Sequence, residues 1–264
     1  MMEEVRRQTP TGELQALVRP GTDPDTPPLV VLHGSMADAQ AWSDVAGSID
    51  ARRTVVVPNR RGRTPSAALG GRYCVEQEVE DLTGWIAGLG TTVDLFGHSY
   101  GGLVATETVR TGADVRTLLL YDPVAPPFAE ECILALDEAV STGDLDRAVE
   151  IINVDLSGYP QESVDSLRST PAWPRLRELA APAAAELRAI ASFEPKGFPD
   201  GIAPVVALLA GESTRHRAPY GPAMDTVART LGIQHETILP GQDHLAHLTG
   251  PHDLAAAIDN ILPS

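Results

Sequence analysis

Long apolar runs, cysteine and clustered basic residues are all scarce in this sequence of 264 residues, and each scarcity closes off a class of function. No run approaches the roughly 20 apolar residues of a membrane span. The only cysteines, Cys74 and Cys132, lie far apart and outside any C-x-x-C pattern, which predicts reduced thiols rather than a disulfide framework. Twenty Lys and Arg stand against 36 Asp and Glu, a formal net charge of −16. Nucleic acid and anionic membranes are repelled by such a surface and are not expected as partners. Aromatic residues make up 5%, so the core must rest on Leu, Val, Ala and Ile. The opening Met1–Arg7 is charged and leads into polar residues without an apolar stretch of signal-peptide length. A cytoplasmic protein with a small-molecule partner is expected. No residue pattern speaks to oligomeric state.

What is present is an alternation. Hydrophobic residues form 43% of the chain, enough for the core of one large α/β domain. Apolar runs at Leu29–Leu32, Thr54–Val57, Val93–Phe96, Thr117–Tyr121, Val205–Ala210 and Gln234–Leu239 read as strands, with Leu14–Val18 as an edge strand. Between them lie helical patterns at Val75–Gly88, Gly101–Thr111, Pro222–Leu231 and His252–Leu262. Strands alternating with helices predict a doubly wound, mostly parallel sheet, with functional loops at the carboxyl ends of the strands. The rhythm breaks between Asp122 and Val205, where helical pieces at Glu130–Thr142, Leu145–Val154, Gln161–Ser169 and Leu176–Ser192 follow one another. Residues 125–203 are therefore read as a helical cap, and 1–124 with 204–264 as the core. An ordinary helical decoration is the alternative.

Gly97-His98-Ser99-Tyr100-Gly101 is a G-x-S-x-G sequence between a strand-like run and a helix. That context makes the motif a nucleophile elbow. The tight turn forces Ser99 into strained backbone geometry, and the glycines let strand and helix approach. The Ser99 hydroxyl is then lifted above the sheet, and the Tyr100 N–H lies at a helix start where donors are unpaired. Of seven histidines, His244 follows the last strand on a glycine-containing loop, where the chain returns beside the nucleophile. His33 and His98 sit at turns and read as structural; His216, His235 and His252 read as solvated. His247 lies three residues past His244, but no carboxylate–His–His pattern accompanies the pair, so no metal and no cofactor are expected.

With the His33-Gly34-Ser35 turn, the Asn59-Arg60-Arg61-Gly62-Arg63 loop and Pro240-Gly241-Gln242-Asp243-His244, these features resemble the α/β-hydrolase superfamily, especially its small capped serine hydrolases of bacterial type. The resemblance covers nearly the whole chain and implies the α/β-hydrolase fold with a helical cap inserted after the sixth strand. It also implies a Ser–acid–His triad and an oxyanion hole formed by the amides of Ser35 and Tyr100. One position departs from the family's pattern. The slot after the Val205–Ala210 strand that usually holds Asp holds Thr214, which cannot stabilise an imidazolium. Asp122, at the end of Thr117–Tyr121, is the first candidate for the acid. Glu212 is the alternative, since its longer arm reaches the same region, and Asp243 is a third.

The implied activity is acyl transfer from an ester, thioester or lactone of a small, moderately hydrophobic molecule. Trp42, Val124 and Phe128 are candidate pocket residues, with Trp173, Phe193, Ala125, Leu134, Ile151, Leu156 and Ala183–Ala185 as further cap or aromatic candidates. Asn59–Arg63 can hold a substrate carboxylate or pair with the protein's own acids. Two other readings stay open: a non-hydrolytic enzyme of the same fold, such as a cyclase or cofactor-free oxidative enzyme, and a binding protein with a vestigial triad. A serine at 99 argues against epoxide hydrolases and haloalkane dehalogenases, which need a carboxylate there.

Overall fold

Eight strands form one sheet in the order β1-β2-β4-β3-β5-β6-β7-β8. They are β1 Glu3–Thr9, β2 Gly12–Arg19, β3 Leu29–Leu32, β4 Val55–Asn59, β5 Val93–His98, β6 Val115–Tyr121, β7 Val205–Gly211 and β8 Glu236–Leu239. The computed structural model describes residues 2–71, 73–202 and 204–263, so the predicted segment ends at 1, 203 and 264 lie outside the described residues. The hairpin β1–β2 and the pair β2–β4 are antiparallel, and the remaining pairs are parallel.

The apolar runs become strands because the sheet is covered on both faces. In β3, Leu29 and Val31 pack on one side with Trp42, Val45, Leu254 and Ile258, whereas Val30 and Leu32 pack on the other with Leu82, Tyr100 and Val104. The first layer is made by α1 (Ser43–Ser48) and the last helix; the second is made by α2 (Val75–Ala87) and α3 (Tyr100–Arg110). Leu14–Val18 lies inside β2 but is not the edge. The charged β1, with mostly exposed side chains, flanks it.

After β6 the chain leaves the sheet and returns only at β7. Between them run α4 (Ile133–Thr142), α5 (Leu145–Glu150), a π-helical turn at Ile151–Leu156, α6 (Gln161–Arg168), α7 (Trp173–Ala180) and α8 (Ala183–Ala191). The chain is completed by α9 (Glu212–Arg215), α10 (Tyr220–Leu231), α11 (Ala246–Thr249) and α12 (Pro251–Ile261). The π-helical turn was not legible in the sequence.

Candidate active site

At the carboxyl end of β5 the backbone reverses at Ser99, with φ 55° and ψ −125°, into α3. A non-glycine residue there is strained by roughly 1–3 kcal/mol. Two glycines make the turn possible. A Cβ on Gly34 would lie 2.6 Å from the Ser99 Cβ, and one on Gly101 would lie 2.4 Å from the Leu32 carbonyl oxygen. The loop after β3 is thereby pressed against the elbow. Neither the Ser35 nor the Tyr100 N–H has a hydrogen-bond acceptor among the described residues. Met36, beside Ser35, is also held at positive φ, 56°.

The adjacent strand end carries Asp122, fully buried and at φ 43°. Its Oδ1 accepts from the Gly211 N–H at 3.0 Å, and its Oδ2 accepts from His244 Nδ1 at 3.2 Å. With Nδ1 carrying the proton, neutral His244 keeps its lone pair on Nε2. The His244 ring lies between His98 and Tyr220, at centroid separations of 4.5 and 4.3 Å. His98 Nε2 donates to the His244 carbonyl at 3.0 Å, leaving its buried Nδ1 without a partner. Burial, with His244 and His247 nearby, pushes the His98 pKa well down. His247 is lowered to about 3 by burial and by His244. His33 is lowered by burial, Arg60 and Arg63. His33, His98 and His247 are therefore held neutral and brace the loops.

The two other acid candidates are engaged elsewhere. Glu212 Oε2 accepts from the Gly241 N–H at 2.8 Å. Asp243 accepts from the Leu245 N–H at 2.8 Å and from the Tyr159 hydroxyl at 3.3 Å. Thr214 is wholly buried with its hydroxyl unpartnered.

Ser99 and His244 line one cavity of about 330 Å³, together with Ser35, Tyr100, Val124 and Phe128. Its far wall comes from the helical insertion, through Leu136, Ile152, Asn153, Leu156, Leu176 and Leu187. Several expected pocket residues lie elsewhere. Trp42 is fully buried behind the site, stacked on His247 with centroids 4.8 Å apart, because the layer under β3 needs its bulk. Leu134 is 83% exposed on the outer face of α4. Phe193 lines a separate cleft, and the Trp173 indole donates to Asp146 at 2.8 Å. Tyr220, Met36 and Asn153 were missed. Met36 had a signal in its adjacency to Ser35; the other two depend on how the insertion and α10 meet.

The arginine loop turns inward on the protein's own acids. Arg60 and Arg63 both bond Glu186 of α8, Arg60 also pairs with Glu78 at 3.3 Å, and Arg61 pairs with Asp81 at 2.6 Å. Burial would raise the Glu186 pKa, but the two guanidiniums pull it down to about 2. The Arg60 guanidinium lies 4.7 Å over the Tyr100 ring, and the Tyr73 hydroxyl bridges Glu78 at 2.7 Å and Tyr100 at 3.1 Å. No group of three or more His, Cys, Asp or Glu side chains among the described residues is arranged to hold a metal ion. No described helix is long and apolar enough to cross a membrane.

A strand–elbow–helix with a serine at its tip, on a sheet of this order, defines a class. The chain belongs to the alpha/beta hydrolase family, which it matches over residues 29–257. It is similar to the carbendazim hydrolyzing esterase of Nocardioides sp. (strain SG-4G), with 30% identity over 115 residues, 42% of this chain and 48% of that protein. The matched stretch thus spans about half of that relative's length. Among solved structures it is similar to an alpha/beta hydrolase from Sphaerobacter thermophilus, with a TM-score of 0.74 and 20% identity over 93% of this chain and 96% of the other. A thermophilic esterase from Thermogutta terrifontis gives a TM-score of 0.71 and 21% identity over 98% and 97% of the two chains. Family membership and the esterase relative support hydrolase activity; the structural likenesses bear on the fold.

Proposed function

We propose that the protein is a serine hydrolase that cleaves an ester, thioester or lactone of a small, moderately hydrophobic molecule through an acyl-enzyme, with residues 125–203 acting as a cap over the site. The observation that carries this reading is the arrangement of three side chains. Ser99, raised by a strained elbow, shares a cavity with His244, and the His244 Nδ1–H is tied to buried Asp122 at 3.2 Å.

The mechanism follows from that geometry. His244 Nε2 takes the Ser99 proton as Oγ attacks the carbonyl carbon, and the imidazolium so formed is stabilised by Asp122. The tetrahedral oxyanion is held by the free amides of Ser35 and Tyr100, each contributing roughly 3–4 kcal/mol of transition-state stabilisation. His244 then protonates the leaving group, and the acyl-enzyme is hydrolysed by water that His244 deprotonates. The apolar walls exclude other water from the oxyanion.

A fluorophosphonate probe together with a panel of p-nitrophenyl esters tests the reading. Labelling at Ser99 with ester turnover is expected, and Ser99→Ala should lose on the order of 10⁴–10⁶ in turnover. Undiminished turnover in Ser99→Ala would remove the covalent step. Labelling without turnover would point to a non-hydrolytic relative, and no labelling to a binding role.

A further inference from the structure

Among the described residues, the wall that the helical insertion presents to the cavity is apolar except at Asn153, Ser157 and Tyr159. Two of these already have partners. Ser157 shares a hydrogen bond with the Tyr220 hydroxyl at 2.9 Å, and Tyr159 donates to Asp243 at 3.3 Å. Asn153 is only half engaged. Its Nδ2 donates to the Val149 carbonyl one turn back at 2.8 Å, and its Oδ1 has no donor among the described residues. Asn153 sits in the π-helical turn Ile151–Leu156, within a run that also contributes Ile152 and Leu156 to the cavity. Wider π-turns of this kind recur at functional sites because they re-aim side chains out of the regular helical register. The bond to Val149 fixes the orientation of the amide: one N–H of Nδ2 is used, and Oδ1 is the end with no partner at all.

Charge narrows the ligand further. Among the described residues no Lys, Arg, Asp or Glu lines the cavity, and the nearby Arg60 and Arg63 are spent on Glu186. The Arg217 guanidinium lies over the Tyr159 and Tyr220 rings, 5.2 and 5.9 Å from their centroids, and is not among the lining side chains. A carboxylate or phosphate on the substrate would therefore meet a described wall without a charged side chain, in a protein of net charge −16.

We propose that Asn153 is a specificity-determining residue whose Oδ1 accepts a hydrogen bond from an N–H or O–H carried by a neutral, otherwise apolar ester-type substrate. This rests on the proposed hydrolytic reading for the word ester, but the binding it invokes is measurable without chemistry. An accepted hydrogen bond in an apolar cavity is worth about tenfold in affinity.

Calorimetry on the Ser99→Ala protein keeps binding apart from turnover. Two matched ligand pairs serve: hexyl 4-acetamidobutanoate against its N-methyl counterpart, and hexyl 6-hydroxyhexanoate against its methyl ether. At least one donor-bearing ligand is expected to bind about tenfold more tightly than its blocked partner, and the pair that responds identifies the donor as N–H or O–H. In Ser99→Ala/Asn153→Leu that preference should shrink to within twofold, with Asn153→Ala as a second replacement and circular dichroism verifying the fold. Equal affinities within both pairs, no binding of any of the four ligands, or a preference that survives removal of Asn153 would overturn the proposal. Absence of ester turnover in the wild type with the binding preference intact would instead count against the hydrolytic reading.

Discussion

Asp122 reaches His244 from the end of β6, and its second oxygen is fixed by the Gly211 N–H at the end of β7. One carboxylate thus joins two strand ends to the loop after β8, and its place is set by backbone on both sides. For the proposed mechanism, Asp122→Asn should lower kcat by about 10²–10⁴ with little change in KM, since the imidazolium loses its partner. Glu212→Gln should stay within a few-fold of wild type, because Glu212 bonds the Gly241 amide rather than the imidazole. Steady-state kinetics on the two variants decides between the carboxylates, and a larger loss in Glu212→Gln would reverse the assignment.

The strain at Ser99 gives a second expectation. Glycine accepts φ 55° without a Cβ penalty, so Ser99→Gly should abolish turnover and yet stabilise the fold by about 1 kcal/mol. In a chain of this size that is a rise in Tm of about 2–4 °C. A Tm below that of wild type would show that the elbow is not strained.

Acid should unfold this protein early. His33, His98 and His247 have folded pKa values below the ordinary 6.5, that of His247 at about 3, chiefly through burial. The unfolded chain binds their protons first, so stability is complete above pH 6.5 and is lost as pH falls from there toward 3. The slope can reach about 4 kcal/mol per pH unit while all three titrate only in the unfolded state. Asp81, raised to about 6 by burial, works in the opposite direction and returns part of this below pH 6. Urea denaturation at pH 7.5, 6 and 5 measures the balance; a flat profile would show that these rings are not held neutral.

Glu186 carries the fourth expectation. It is completely buried and bonded to both Arg60 and Arg63, so Glu186→Gln leaves two buried guanidiniums short of negative charge. A loss of about 3–5 kcal/mol is expected, with faster hydrogen exchange across α4–α8 than across the central strands. Uniform exchange throughout the chain would show that Glu186 does not hold the insertion to the sheet.

The sequence exposes those parts of the molecule whose determinants are local. The runs that became β3 to β7 are legible because both sheet faces are apolar, and Ser99 is legible because the elbow needs its glycines at fixed positions. The strand β1 was not, since Glu3–Thr9 lies at the sheet edge with its side chains mostly in water and shows no apolar period. Three carboxylates remained open for the acid because the choice depends on strand order: β6, β7 and β8 lie side by side, which no window along the chain displays. In the sequence Trp42 is a pocket candidate only as one of the few aromatic side chains. Its place behind His247 follows from the packing of α11 on the turn that carries Trp42 and of α12 on α1, both far away in sequence. Tyr220 and Asn153 reach the cavity from separate elements, so neither carries a sequence signal.

The salt-bridged seam at Glu186 also limits how ligands travel. Displacing the insertion as one body would break the buried pairs of Glu186 with Arg60 and Arg63. Leu167 and Leu248 line the cavity and are 36% and 58% exposed, so the cavity reaches solvent beside these two side chains. Leu248→Trp should then narrow the range of admitted acyl chains, which competition between short and long p-nitrophenyl esters would register. Selectivity by girth at this rim would be set by two leucine side chains turning, on a timescale far shorter than domain motion.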